Sequence, residues 1–155
     1  MTRKLLALLL AAPIAVVAFL ASPALGKTTR PLVNHYSDKC VAIDGDTLVC
    51  LFNRSRVHLR LNGVDSPELA GHCRATRVCA PGDPIAAKEF SSTFVVGKRV
   101  RWLDLGRDKY GRVIAEVRVG RVDLSCELLR TSNAIYKPDW DNYKTLASRC
   151  PNYAH

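Results

Sequence analysis

Residues 40–68, CVAIDGDTLVCLFNRSRVHLRLNGVDSPE, contain the patterns that decide the fold. An Asp44-Gly45 pair separates two short apolar runs, and such a pair is the strongest short-range signal for a β-hairpin. Residues 56–62 then alternate in polarity, which predicts a third strand whose core-facing side carries Val57, Leu59 and Leu61. The polar stretch 63–68 is expected to leave this strand as a loop.

A helix is predicted downstream of that loop, after a polar, cysteine-bearing segment. This segment, residues 70–82, shows neither helical nor strand periodicity. The helix has Asp83 at its N-cap, Pro84 in its first turn and Gly97 just past its end. Its apolar residues recur every four positions, so a core-facing stripe is expected at Ala86, Phe90 and Phe94.

Two further strands and a second helix are predicted in the second half of the chain. Alternation predicts strands over residues 99–105 and 112–119. Asp123 is expected to cap the helix, and Asn133 to adopt the left-handed conformation at its end. One short helix is expected over residues 142–148.

The remaining stretch before the first strand, residues 27–38, has no element signal and is expected to be a plain lead-in. Five short strands with helices between and after them are typical of a small closed barrel against which the helices pack. We therefore predict an α+β, mainly β fold with two or three helices.

The composition restricts the protein to a limited set of classes. Its 155 residues suit one domain, and 48% hydrophobic with 24% charged residues exclude a disordered chain. Nine glycines and eight prolines exclude a collagen-like or low-complexity chain. The formal net charge of +9 indicates an anionic partner, either nucleic acid, an anionic membrane surface or an acidic polysaccharide.

The N-terminus, residues 1–26, has the three-part layout of a secretory signal peptide. Arg3 and Lys4 precede an uncharged apolar run, and small residues follow it. An uncleaved membrane anchor is the alternative, but the run is interrupted by Pro13 and is shorter than the roughly 20 residues of a transmembrane helix. We expect cleavage, with residues 27–155 forming a single secreted or periplasmic domain.

Six cysteines follow this segment, and an even number in an exported chain indicates three disulfides. The sequence alone does not distinguish the many pairings that six cysteines allow. We expect pairing of nearest neighbours, Cys40–Cys50, Cys73–Cys79 and Cys126–Cys150. Zinc binding by His72, Cys73 and Cys79 is the alternative, but their spacing fits no zinc motif.

Carboxylates cluster at the hairpin turn and at the exit of the third strand. Two aspartates with a backbone carbonyl form a hard oxygen site suited to Ca²⁺ or Mg²⁺, and a further carboxylate could activate a water molecule. Arginines could clamp a phosphate and neutralise its developing charge. Together these groups suffice for attack on a phosphodiester, and the candidates are Asp44, Asp46, Arg60, Asp65 and Glu68.

Two motifs resemble the signatures of the staphylococcal nuclease-like (thermonuclease) family. Residues 44–48, DGDTL, followed by residues 60–68, RLNGVDSPE, resemble the first, and residues 108–112, DKYGR, resemble the second. The resemblance spans about residues 40–136. It implies a five-stranded OB-type barrel with packed helices, and Ca²⁺-dependent hydrolysis of single-stranded or frayed DNA and RNA that leaves 3′-phosphates.

The resemblance also implies the metal ligands. Asp46 and Asp65 would bind Ca²⁺ through their carboxylates, and Ser66 would bind it through its main-chain carbonyl. Asp44 would lie close by without binding directly. Serine replaces the threonine that is common at position 66, which is harmless if only the carbonyl binds.

The catalytic and substrate-binding residues follow from the same resemblance. Glu68 would be the general base, while Arg60 and Arg112 would stabilise charge on the phosphate in the transition state. Lys109 and Tyr110 would contact a terminal phosphate, and the ring of Tyr136 would lie near the nucleotide. DNA and RNA are the implied partners of a monomer, and no protein partner or lasting membrane association is implied.

Ordinary explanations exist for each residue taken singly, such as a hairpin turn or a solvated charge, whereas the joint order and spacing favour a site. Histidine acid–base cleavage of RNA is a weaker alternative, since the histidines share no motif: His35, His58, His72 and His155. The main rival is a non-catalytic OB-fold module that binds nucleic acid. An aromatic content of only 7% argues against a pure binder.

Overall fold

All five predicted strands are present in residues 32–155, the part of the chain that the computed structural model describes. The strands are β1 Asn34–Ser37, β2 Cys40–Ala42, β3 Thr47–Phe52, β4 Ser55–Leu61, β5 Val64–Asp65, β6 Val100–Arg107, β7 Val113–Val119, β8 Val122–Asp123 and β9 Ile135–Tyr136. The helices are α1 Pro84–Val95, α2 Leu124–Arg130 and α3 Thr145–Arg149, with 3₁₀ turns at Pro138–Trp140 and Asn142–Lys144. This content confirms the predicted α+β, mainly β class. The predicted signal peptide, residues 1–26, lies outside the described residues.

The main sheet is mixed and runs in the order β1-β6-β7-β4-β3-β2, with β8 added beside β7. Neighbouring strands are antiparallel except β4 and β7, which pair in parallel. At the end of β1, Ser37 Oγ donates a 2.8 Å hydrogen bond to the Leu51 carbonyl of β3. The strand at one end of the sheet therefore contacts β3, which lies next to the strand at the other end, as expected for a barrel-like arrangement.

The core lies on the face that alternation predicted. Leu59 and Leu61 of β4 are buried, and so are three residues of β7: Val113, Ala115 and Val117. Trp102 is 1% exposed and packs with Phe52 and His35, whose ring lies 5.4 Å from the tryptophan ring. His35 therefore packs against the core, and this position argues against a role for His35 in acid–base catalysis.

Two predictions about the elements were wrong. The lead-in contains β1, which pairs antiparallel with β6 although Asn34–Ser37 lacks a clear apolar alternation. In α1, Ala86 is exposed, and the central buried positions are Ala87, Ser91 and Val95. The polar Ser91 in this stripe obscured its position in the sequence, and Phe90 and Phe94 pack only partly against the core.

The predicted caps of the helices form, with one shift. Asp83 Oδ1 accepts hydrogen bonds from the amides of Ile85 and Ala86, at 2.8 and 3.2 Å, and Asp123 caps α2 through the Cys126 amide. The left-handed residue after α2 is Ser132, with φ of 58°, and not Asn133 as predicted. Asn133 instead donates its side-chain amide to Thr131.

The three disulfides have the expected nearest-neighbour pairing. Cys40 and Cys50 lie opposite each other in the β2–β3 hairpin, with Cα atoms 4.1 Å apart. Cys73–Cys79 closes a small loop, and Cys126–Cys150 joins α2 to the C-terminal segment. Zinc binding by Cys73 and Cys79 is therefore excluded in this oxidised state, and the disulfides are compatible with an extracellular location.

Within residues 32–155, no helix has the length and apolar character needed to span a membrane.

Candidate active site

An open cleft of about 930 Å³ lies over the ends of β4, β7 and the segment 68–77. It is bordered by basic, acidic and aromatic side chains, and five of the predicted site residues line it: Arg60, Glu68, Lys109, Tyr110 and Arg112. The fold therefore brings both sequence motifs, which are some 40 residues apart, to one surface.

Two buried carboxylates lie beside Arg60, a residue that lines the cleft, although neither carboxylate is among the lining residues. Asp46 precedes β3 and is 6% exposed, whereas Asp65 ends β5 and is completely buried. Asp46 Oδ2 accepts a 2.7 Å hydrogen bond from the Ser66 amide, which ties the hairpin turn to the loop after β5. All three predicted metal-binding residues are therefore adjacent.

Arg60 is the cation that joins these two carboxylates. From β4, its guanidinium forms an ion pair with Asp46 and lies 3.4 Å from Asp65 Oδ1. It also donates to the carbonyl of Val64, at 3.1 Å. Burial raises the pKa of Asp46, and Arg60 acts against that rise.

The turn that holds Asp44 and Asp46 is packed tightly against α1. Asp44 Oδ1 accepts a 3.0 Å hydrogen bond from the Asp46 amide, so Asp44 shapes the turn from beside the predicted ligands. Ser91 of α1 donates a 2.6 Å hydrogen bond to the Gly45 carbonyl. A Cβ atom at Gly45 would lie 2.6 Å from Ser66 Cβ and 2.8 Å from Ala87 Cβ, so only glycine fits.

The second motif also lines the cleft, through the loop that precedes β7. Arg112 Nε pairs with Asp108 Oδ2 at 2.7 Å, and its Nη1 lies 3.4 Å from Thr47 Oγ1. Burial acts to raise the pKa of Asp108, but the hydrogen bonds from Arg112 outweigh it and lower that pKa. The exposed ring of Tyr110 lies within 5.5 Å of both the Lys109 ammonium and the Arg112 guanidinium.

Tyr136 is not among the residues that line the cleft. Its hydroxyl donates a 3.0 Å hydrogen bond to Asp141 Oδ2, and burial together with this bond raises the pKa of Tyr136. Asp141 is buried and also accepts from Asn62 at the end of β4, at 2.9 Å. In this structure Tyr136 helps to anchor the C-terminal segment, and its contact with a nucleotide stays a prediction.

Arg77 and Trp140 are among the cleft residues that the sequence analysis missed. Arg77 pairs with Asp65 and also with Glu68, whose Oε1 lies 2.8 Å from Arg77 Nη1. Trp140 is 38% exposed, and its ring lies 5.3–5.5 Å from the cationic groups of Arg60, Arg77 and Lys137. Both residues lie in segments without helical or strand periodicity. The surplus of positive charge is consistent with an additional arginine in the cleft, but no sequence pattern indicates Trp140.

The donor chemistry of the site fits a hard divalent cation. Asp46 and Asp65 supply carboxylate oxygens, and the buried Oδ2 of Asp65 has no hydrogen-bond partner among the described residues. No group of three or more histidine, cysteine or acidic side chains is arranged around a common metal position in residues 32–155. The carboxylates instead face Arg60 and Arg77, which neutralise them.

Comparisons with known proteins match most of this chain to one family. Residues 58–150 match the family model described as staphylococcal nuclease homologue. The chain is 32% identical over 114 residues to the probable endonuclease LCL3 of Phaeosphaeria nodorum, covering 71% of this chain and 36% of that protein. It is 37% identical over 86 residues to the probable endonuclease lcl3 of Emericella nidulans, covering 48% of this chain and 29% of that protein. The chain therefore spans about a third of the length of these curated relatives.

The packing of the turn predicts the effect of Gly45→Ala. The added methyl group would push Ser66 and Ala87 away, so we expect the free energy of unfolding to fall by about 1–3 kcal/mol. Denaturant unfolding measures this loss. A change smaller than about 0.5 kcal/mol would show that the turn is not held against α1 as described.

Proposed function

Because the chain belongs to the staphylococcal nuclease homologue family, we propose that it is an exported, Ca²⁺-dependent nuclease. It hydrolyses phosphodiester bonds of DNA and RNA, prefers single-stranded or frayed regions and leaves 3′-phosphate products. Residues 1–26 are removed as a signal peptide, and residues 27–155 are the single OB-fold nuclease domain. The names of the relatives, probable endonucleases, support the nuclease activity.

One observation carries this proposal: residues far apart in sequence meet at one end of the cleft in the chemical types that phosphodiester hydrolysis needs. Arg60 touches Asp46 and Asp65, while Glu68 lies three residues beyond Asp65 and faces the same cleft. Arg112 also lines the cleft and directly precedes β7, the strand that pairs with the Arg60 strand β4. A phosphate bound in this cleft would face an acid–base group and two guanidinium groups.

Asp46, Asp65 and the Ser66 carbonyl would hold Ca²⁺, which supplies positive charge that polarises a phosphate oxygen. Glu68, whose side chain is 23% exposed, would orient a water molecule and accept its proton. Arg60 and Arg112 would donate hydrogen bonds to the phosphate oxygens. These bonds strengthen as negative charge develops there, so they lower the activation barrier.

The remaining walls of the cleft suit a flexible polynucleotide strand. Lys109 would pair with a terminal phosphate, and the exposed rings of Tyr110 and Trp140 offer flat surfaces on which unpaired bases can stack. The ring of Tyr136 would lie near the nucleotide, while its hydroxyl stays bonded to Asp141. An unpaired strand exposes its bases to such rings, whereas a duplex does not.

A non-catalytic binding module is the rival, and the aromatic and basic surface of the cleft would serve it equally well. Single-stranded DNA incubated with the purified protein, in Ca²⁺ or in a chelator, separates the two functions. The proposal predicts cleavage in Ca²⁺ and intact DNA in the chelator. Intact DNA under both conditions, with the strand bound, would establish the binder instead.

Replacing the general base tests the role of Glu68. Glu68→Gln keeps the size of the side chain but cannot accept the proton, so we expect turnover of single-stranded DNA to fall by about 100-fold to 10,000-fold. Thermal unfolding should change little, because Glu68 is partly exposed.

Glu89→Gln is the matched control, since it removes a carboxylate that is exposed on α1, away from the residues that line the cleft. It should retain full turnover. Turnover of Glu68→Gln near that of the wild type would exclude Glu68 as the base.

Replacing a metal ligand tests the role of Asp46. Asp46→Asn retains the shape and can still accept from the Ser66 amide, but it loses one negative charge. We expect weaker Ca²⁺ activation, so that higher Ca²⁺ concentrations restore part of the rate. Nuclease assays over a Ca²⁺ titration measure this shift.

Asp139→Asn serves as the control, because Asp139 also lines the cleft but is exposed and separate from the buried carboxylates. Its Ca²⁺ dependence should match that of the wild type. If no concentration of Ca²⁺ rescued Asp46→Asn, Asp46 would have a different role from that of a simple ligand.

A further inference from the structure

Arg77 makes the closest described cationic contacts to Asp65, a predicted metal ligand, and to Glu68, the predicted general base. One guanidinium nitrogen lies 2.8 Å from Glu68 Oε1, and the other pairs with Asp65 Oδ1. A single planar guanidinium therefore spans both carboxylates, a geometry that the compact ammonium of a lysine does not reproduce.

We infer that Arg77, which pairs with both Asp65 and Glu68, is the counter-ion of Asp65 in the metal-free site and competes with the divalent cation for Asp65. The inference rests on the proposed function, since it concerns the same site. Binding of the cation requires the guanidinium to leave Asp65, and withdrawal of the cation allows it to return. Arg77 thus sets the concentration of cation at which the site fills.

The burial of Asp65 explains why such a counter-ion is needed. This carboxylate is completely buried, and an isolated charge in that position would be strongly unfavourable. Arg60 compensates it only in part, because its guanidinium lies 3.4 Å from Asp65 while pairing directly with Asp46. Without a metal ion, the positive charge that Asp65 lacks comes from Arg77.

The segment that carries Arg77 allows this exchange without disturbing the core. Residues 70–82 contain no helix or strand, and Val78 beside the arginine is 89% exposed. The Cys73–Cys79 disulfide closes a short loop around Arg77, and the Arg77 amide donates a 2.9 Å hydrogen bond to the Arg74 carbonyl within it. The backbone is thereby restrained near the cleft, while the side chain, 32% exposed, can move toward solvent.

Arg77 makes a further contact in the cleft, with the ring of Trp140. The Arg77 guanidinium is 5.3 Å from the centre of the Trp140 ring. Once released from the carboxylates, it can therefore stay over this ring, in position to pair with a substrate phosphate.

Calcium binding measured by titration calorimetry, with calcium chloride and no nucleic acid, tests the competition. Arg77→Gln should bind Ca²⁺ about tenfold more tightly than the wild type, because the competing charge is gone. Arg77→Lys should fall between them, since one ammonium cannot hold both carboxylates.

Arg74→Gln is the matched control. It removes the same charge from the same loop and the same cleft, but the contact described for Arg74 is with the ring of Tyr110, 5.9 Å away, and not with a carboxylate. Its Ca²⁺ affinity should lie within about twofold of the wild type. An equal gain in Ca²⁺ affinity in Arg77→Gln and Arg74→Gln would show that the effect comes from net charge alone. That result would overturn the inference.

Thermal unfolding gives a second readout that needs neither substrate nor turnover. In a chelator, Arg77→Gln should unfold at a lower temperature than the wild type, because Asp65 has lost its closest cationic partner and keeps only the more distant Arg60. Added Ca²⁺ should raise its unfolding temperature by more than it raises that of the wild type.

The two proposals fail in different ways. Calcium that binds the wild type and Arg77→Gln with the same affinity would overturn the role of Arg77 and leave the nuclease proposal standing. Calcium that binds none of the variants would overturn both.

Discussion

The site depends on two buried carboxylates, Asp46 and Asp65, which lie beside the cleft residue Arg60. Burial disfavours the charged form of a carboxylate, and it raises the pKa of Asp46. Each is tolerated because a guanidinium faces it, Arg60 in the first case and mainly Arg77 in the second. Buried charges of this kind add little stability compared with an apolar core, and they are typical of functional sites.

The fold supplies the rigidity that this arrangement requires. Ser91 of α1 binds the Gly45 carbonyl, and the Ser66 amide binds Asp46, so the hairpin turn is fixed from two sides. On the other side, buried Asn62 and Asp141 tie the end of β4 to the C-terminal segment that presents Trp140. The carboxylates therefore rest on strand ends and a helix face, while the basic groups above them come from more exposed segments.

The sequence predicted those parts of the fold in which local pattern and tertiary packing agree. The alternation in β4 and β7 and the caps at Asp83 and Asp123 all formed as expected. The errors arose where packing overrides pattern. The strand β1 is selected by its pairing with β6, and the small polar Ser91 occupies the centre of a helix face that a search for large apolar residues places one residue earlier.

Tertiary packing also limited how much of the candidate site the sequence could predict. Residues in the two motifs were found because their types and spacing are specific, whereas Arg77 lies in a loop whose path depends on a disulfide and has no sequence period. Its position over Asp65 follows from three-dimensional proximity alone. The sequence analysis missed Trp140 for a similar reason. A 3₁₀ turn of three residues is too short for a sequence pattern to predict the direction of the Trp140 ring.

The most direct measurement is a crystal structure of the protein grown with Ca²⁺ and a non-hydrolysable nucleotide bisphosphate. The account predicts Ca²⁺ bound to Asp46, Asp65 and the Ser66 carbonyl, a phosphate clamped by Arg60 and Arg112, and the Arg77 guanidinium moved off Asp65. An ion bound elsewhere, with Arg77 still paired to Asp65 and Glu68 and no phosphate between the arginines, would contradict it.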